Sequence, residues 1–156
     1  MRNYAVSILL PVYNFDPFHL KNNVKIIQDF ARATYQKSEI LIIDDTNNEE
    51  TRMVIRDVLG LGDIRTVRYE NGPSRRENLA ASFKEARYGI PCFMDIDLAT
   101  KLEQLTELTD KIYQGYDVAI GSRNLGVRPE REYFRFIISK IYNFGLRILF
   151  GSQVHD

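Results

Sequence analysis

The chain has 156 residues, 44% apolar and 27% charged, which suits one domain with a real core and excludes disordered and collagen-like chains. Lys plus Arg and Asp plus Glu number 21 each, so no net field selects nucleic acid or a strongly acidic partner, and any electrostatic function is local. The single cysteine, Cys92, excludes an internal disulfide and a cysteine-built zinc site; in its apolar run it reads as a small buried hydrophobe.

The first apolar stretch runs straight into Tyr13 and Asn14 without a small-residue cleavage site, so it predicts a strand over 6–12 and not a signal peptide. Next comes a helix over 17–35, with Leu20, Val24, Ile27 and Ala31 on one face. A strand over 39–43, a helix over 49–59, a strand over 64–69 and a helix over 75–87 follow. The remainder predicts a strand over 90–94, a helix over 102–113, a fifth strand over 117–120 and a last helix over about 130–150. Short β-rich runs alternating with helical periods imply an α/β fold with a mostly parallel central sheet flanked by helices. No repeat or linker interrupts it, and no run reaches the roughly 20 apolar residues that span a bilayer. The longest, 133–150, is broken by Arg135, Lys140 and Arg147.

In an open parallel sheet, ligands bind in the crevice beyond the carboxyl ends of the strands. Here those ends carry Pro11 to Asn14, Asp44 and Asp45, Glu70 to Gly72, Asp95 and Asp97, and Gly121 to Arg123. Carboxylates gathered at one edge repel unless a cation sits among them, and oxygen ligands suit Mg²⁺ or Mn²⁺ bridging to a diphosphate. In an extended strand Asp95 and Asp97 share a face while Ile96 turns into the core. Asp-x-Asp alone is also a common solvated turn; its place after an apolar strand favours the ligand reading. A glycine-rich dinucleotide turn after the first strand and a P-loop are both missing. A phosphatase that uses Asp95 as nucleophile would place this pair after its first strand, whereas three strands precede it here.

These motifs, in this order, resemble the family 2 glycosyltransferases of the GT-A fold, and within them the polyprenyl-phosphate sugar transferases similar to dolichol-phosphate mannose synthase. Residues 6–14 (VSILLPVYN) resemble the opening strand, and residues 43–51 (IDDTNNEET) the VDDGSxDxT turn. Residues 95–98 (DIDL) resemble the DADL motif, with Glu103 opening the next helix, and residues 121–123 match GSR. Arg135, Ser139 and Asn143 match the RxxxSxxxN helix of that branch; Gly151, Val154 and Asp156 fall at the start of its next loop.

The resemblance implies a single GT-A domain over 1–156 that stops where the family continues toward its acceptor side. It implies nucleotide binding by Pro11, Tyr13, Asn14, Asp44, Asp45, Arg75 and Asp95, and Mg²⁺ or Mn²⁺ held by Asp97 and Asp95. Asp95, Asp97 and Arg123 form the implied catalytic set, and Arg123, Arg135 and Ser139 the clamp on the acceptor phosphate. The implied activity moves a sugar, with inversion, from a UDP- or GDP-sugar to a polyprenyl phosphate at the cytoplasmic face of a membrane, with no nucleic-acid partner. The chain departs from the family at Phe15, which replaces a glutamate, at Thr46-Asn47, which replace Gly-Ser, at Arg75, which lacks flanking glycines, and at Ala99, where relatives often carry a side chain that reaches the metal. A glycan or protein acceptor, and a non-catalytic nucleotide-sugar module, are the alternatives.

Projected at about 100° per residue, the last helix sets Arg131, Arg135, Ser139, Lys140, Asn143 and Arg147 against Phe134, Ile137, Ile138, Ile141, Phe144 and Ile148. That profile fits a helix in a membrane interface. It equally fits a helix packed on the sheet.

Overall fold

The structure, a computed structural model, describes residues 1–70 and 72–121; the side chain of Arg75 lies outside that description. The chain divides into two compact units, Met1–Ala119 and Ile120–Asp156, and all the described elements belong to the first. They are β1 (Arg2–Val12), α1 (Pro17–Thr34), β2 (Tyr35–Asp44), α2 (Glu49–Val58), β3 (Ile64–Val67), α3 (Arg75–Ser82), β4 (Ile90–Phe93) and α4 (Leu102–Tyr113). Short 3-10 turns, Leu59–Leu61 and Phe83–Glu85, follow α2 and α3.

The four strands are all parallel, in the order β3-β2-β1-β4. After β3 the chain returns to the other side of β1, so the order reverses between β1 and β4, and a crevice opens there at the strands' carboxyl ends.

Both faces of the sheet are covered, as parallel sheets require. Along β1 the period of two sends Val6, Ile8, Leu10 and Val12 to one face, where they join Leu20, Val24 and Ile27 of α1, Ile55 of α2 and Leu105 of α4. On the other face Leu9, Leu41 and Ile43 meet Leu79 of α3, with Val67 and Ala86. Each fully buried Val, Leu or Ile side chain among them contributes roughly 1.5–3 kcal/mol.

Helix starts follow local chemistry. Pro17 opens α1 behind Asp16, whose Oδ1 accepts from the Phe18 N–H at 2.8 Å; Asn48 Oδ1 caps α2 through the N–H groups of Glu50 (2.8 Å) and Thr51 (3.4 Å).

Three expectations are corrected. Residues 117–120 form no strand: Val118 and Ile120 are 74% and 67% exposed. A three-residue apolar run, Val118 to Ile120, has little strand preference until a neighbour takes its hydrogen bonds, and among the described residues the sheet ends at β4. The helix over 75–87 ends at Ser82, because the Arg87 N–H is committed to Glu39 Oε1 (2.6 Å) and the Tyr88 N–H to Ser7 Oγ (3.0 Å). β2 begins at Tyr35 and not at residue 39; the exposed Gln36 and Lys37 hid a strand whose first residue is buried. The helix expected over 130–150 lies outside the described residues.

Candidate functional site

A cleft of about 360 Å³ opens at the carboxyl ends of β1, β2 and β4. Pro11 and Val12 of β1 line it together with Tyr13 and Phe15; Asp45, directly after β2, and Asp95, Ile96 and Asp97, after β4, complete the lining. Three carboxylates from two chain segments therefore line one cleft at the point where strand order reverses.

Each is positioned by its neighbours. Beyond β4, Met94 and Ile96 are buried while Asp95 and Asp97 are exposed, so the expected alternation holds and Ile96 anchors the pair in the core. Asn23, in the otherwise apolar stripe of α1, fixes this segment by donating from Nδ2 to the Ile96 carbonyl at 2.9 Å. Asp97 closes a turn in which its Oδ1 accepts from the Ala99 N–H at 3.0 Å. Between them Leu98 is held at φ 56°, a left-handed conformation that non-glycine residues adopt only when their surroundings impose it. Asp45, 5% exposed, is tied to β1 by its backbone N–H on the Val12 carbonyl (2.9 Å), and its Oδ1 accepts from Asn78 Nδ2 of α3. Tyr13 is 58% exposed at the rim, which leaves a ring face open for stacking.

The other residues expected to bind nucleotide are placed differently. Asp44 is not in the lining: its carboxylate pairs with Arg68 (3.1 Å) and accepts from the Thr46 N–H (3.0 Å). Asn14 turns the chain out of β1 at φ 44°. Its Oδ1 accepts from Thr46 Oγ1 (2.7 Å) and from the N–H groups of Asn47 (3.1 Å) and Asn48 (3.2 Å), so it ties the end of β1 to the turn after β2. Arg75 opens α3. Ser122, Arg123, Arg135 and Ser139 lie outside the described residues. Cys92 takes no part in the cleft: burial pushes its thiol up to about 12, and its Sγ donates to the Ser7 carbonyl at 3.6 Å.

Sequence reasoning missed Asn23, Asn78 and Arg68. The signal for Asn23 was a polar residue at an apolar helical position; Asn78 and Arg68 carried none, because their partners come from other strands.

Residues 7–156 match the glycosyl transferase family 2 domain. Among the relatives, glycosyltransferase AglD of Haloferax volcanii is 31% identical over 97% of this chain and 25% of its own length. Polyprenol monophosphomannose synthase of Mycolicibacterium smegmatis is 27% identical over 96% of this chain and 57% of its own. Dolichol-phosphate mannosyltransferase of Pyrococcus furiosus is 27% identical over 86% of this chain and 38% of its own. The chain thus spans between a quarter and somewhat over half of these relatives. A solved structure of S. aureus TarS, residues 1–349, superposes with a TM-score of 0.50 at 18% identity, covering 72% of this chain and 33% of TarS, and shows the fold alone. With its four-stranded parallel sheet between helices and a family match over nearly its whole length, the chain belongs to glycosyl transferase family 2 and has the GT-A fold.

Proposed function

We propose that the cleft binds the nucleoside diphosphate of a UDP- or GDP-sugar, and that the whole protein transfers the sugar to a polyprenyl phosphate. The observation that carries this reading is the convergence of Asp45, Asp95 and Asp97 with Tyr13 in one cleft at the strand-order reversal. Tyr13 and Asp45 sit at the side of β1 and β2 and would hold the nucleoside. Asp95 and Asp97 would face the diphosphate.

Among the described residues no three His, Cys, Asp or Glu side chains come together as a metal cage. The pair Asp95 and Asp97 fits Mg²⁺ or Mn²⁺, which keep waters and take one or two carboxylates plus substrate phosphates. Asp97 and Asp95 would hold the ion, which when bound neutralises charge developing on the departing diphosphate. The chain's own contribution is placement. Ile96, buried and bonded to Asn23, and the Asp97 turn fix the direction of both carboxylates before ligand arrives.

A lipid phosphate is already anionic near neutral pH, so as acceptor it needs cations to position it more than a base to deprotonate it. Arg123, Arg135 and the Ser139 hydroxyl would form that clamp, since guanidinium binds phosphate oxygens in a fork. The acceptor class is supported by the names of the relatives, a polyprenol monophosphomannose synthase and a dolichol-phosphate mannosyltransferase among them. No helix among the described residues is long and apolar enough to cross a membrane. Attachment at the cytoplasmic face would rest on the segment 130–150.

The test is turnover of UDP- and GDP-sugars by the full-length protein, with and without polyprenyl phosphate. Transfer only with the lipid phosphate supports the reading. Transfer to a glycan or protein instead, or binding without turnover, replaces it.

A further inference from the structure

Asp45 is held from two sides. Its backbone is bonded to β1 through Val12, and its carboxylate to Asn78, which is 1% exposed and belongs to α3. Asn78 Nδ2 donates to Asp45 Oδ1 and also to the Gly72 carbonyl at 3.0 Å. Reversing the amide would set its oxygen against two acceptors, so this orientation is the one the chemistry allows. Among the described residues Asn78 Oδ1 has no hydrogen-bond partner. The amide therefore stands where it does on account of its two donor bonds. Gly72, at φ +75°, gives the loop before α3 the bend that presents its carbonyl.

We propose that Asn78 is a positioning residue that commits one oxygen of Asp45, so that the cleft prefers uracil, with its single imide N–H, over guanine. The proposal rests on the nucleotide reading above and narrows it to uridine diphosphate donors. Guanine presents adjacent N1–H and N2–H groups, which a carboxylate receives best with both oxygens in a fork, as it receives arginine. Oδ1 of Asp45 already accepts from the buried Asn78 amide, which occupies one side of the fork and leaves Oδ2 as the unshared oxygen for a ligand. One acceptor suits one N–H.

Calorimetry with UDP and with GDP, at one Mg²⁺ concentration, tests this on the wild-type protein, Asn78→Ala and Asn78→Asp, with thermal melts alongside. UDP is expected to bind the wild type about tenfold more tightly than GDP, the scale of one hydrogen bond to a charged group. In Asn78→Ala the UDP affinity should fall and the two nucleotides should come within about threefold of each other, because the carboxylate is freed. Asn78→Asp supplies a readout that a merely structural role would not move. Protonated, its single O–H can replace the donor bond to Asp45, though not the one to Gly72; ionised, it repels Asp45. Its UDP affinity, relative to wild type at the same pH, should therefore recover as pH falls from about 7.5 to about 5.5. A wild-type preference for GDP, an unchanged ratio in a folded Asn78→Ala, or no relative pH dependence in Asn78→Asp overturns the proposal. If Asn78→Ala does not fold, the Asn78→Asp profile decides alone. Failure of the wild type to bind either nucleotide would instead strike the donor reading itself.

Discussion

Asp97 combines two tasks, and substitution can separate them. Its Oδ1 accepts the Ala99 N–H, a bond that the amide oxygen of asparagine can also accept. Asp97→Asn therefore removes the charge and keeps the turn. If Asp97 is the principal carboxylate for the ion, Mg²⁺-dependent UDP or GDP affinity should fall by about 2 kcal/mol, roughly 30-fold, and by less in Asp95→Asn. Undiminished nucleotide binding by Asp97→Asn in the absence of metal would remove the residue from the site. The base end is tested separately. Asp45→Ala should weaken binding of the free nucleoside while Arg123→Ala leaves it unchanged, because Asp45 lines the cleft beside β1. Equal effects would mean that the crevice has been misplaced.

Among the elements, the loops after β1 and β2 depend on each other, and Asn14 is their link. Asn14→Gly keeps the left-handed backbone without strain and deletes the three bonds to Thr46, Asn47 and Asn48, so its effect reports those bonds. The expected loss is about 1–2 kcal/mol, a melting temperature lower by roughly 3–6 °C. A melt identical to wild type would show that the turn after β2 holds itself. The order of the first four strands and four helices, α4 from Leu102 to Tyr113 and the alternation around Ile96 were legible from periodicity, because each is set by which side chains must be buried. The Asp44 pairing with Arg68, the Asn78 bond to Asp45 and the early end of α3 were not, since each depends on a partner brought near by the sheet. Liposome flotation tests the membrane helix expected over 130–150. Phe134→Ser with Ile141→Ser should abolish flotation with anionic liposomes if the apolar face enters the interface, each side chain contributing roughly 1.5–3 kcal/mol. Loss of thermal stability with flotation intact would make it a helix packed on its own domain.

At the scale of the whole fold, the two ends of the sheet are built for opposite purposes. The carboxyl ends open into the cleft, whereas the amino ends are closed by side chains that satisfy one another. Arg2, at the start of β1, makes two 2.7 Å bonds to Asp110 of α4; the Tyr4 hydroxyl donates to the same carboxylate at 2.6 Å and its ring stacks on Tyr113. Deeper in the sheet Glu39, 2% exposed, accepts from Ser7 (2.7 Å), Arg65 (2.9 Å) and the Arg87 N–H. Burial pushes the Glu39 carboxyl up, but the bonds from Arg65, Ser7 and Arg87 outweigh it and hold it below its ordinary value. The hydrogen bonds from Arg2 and Tyr4 bring Asp110 down to about 2. Both groups are thus more acidic folded than unfolded, so below about pH 4 the unfolded chain binds more protons and stability falls with pH. Their contribution is complete above about pH 5, and that of Asp110 is lost as pH drops from about 4 toward 2. Because the Arg2 and Asp110 side chains are 37% and 33% exposed, solvent screening limits that contribution to roughly 1 kcal/mol. Melting temperatures should be level from pH 5 upward and fall steeply below 4. Asp110→Asn should melt lower at neutral pH and show a shallower acid slope, because it no longer has this proton to take up. An acid slope identical to wild type would place the pH sensitivity elsewhere, Glu39 being the next carboxylate to test.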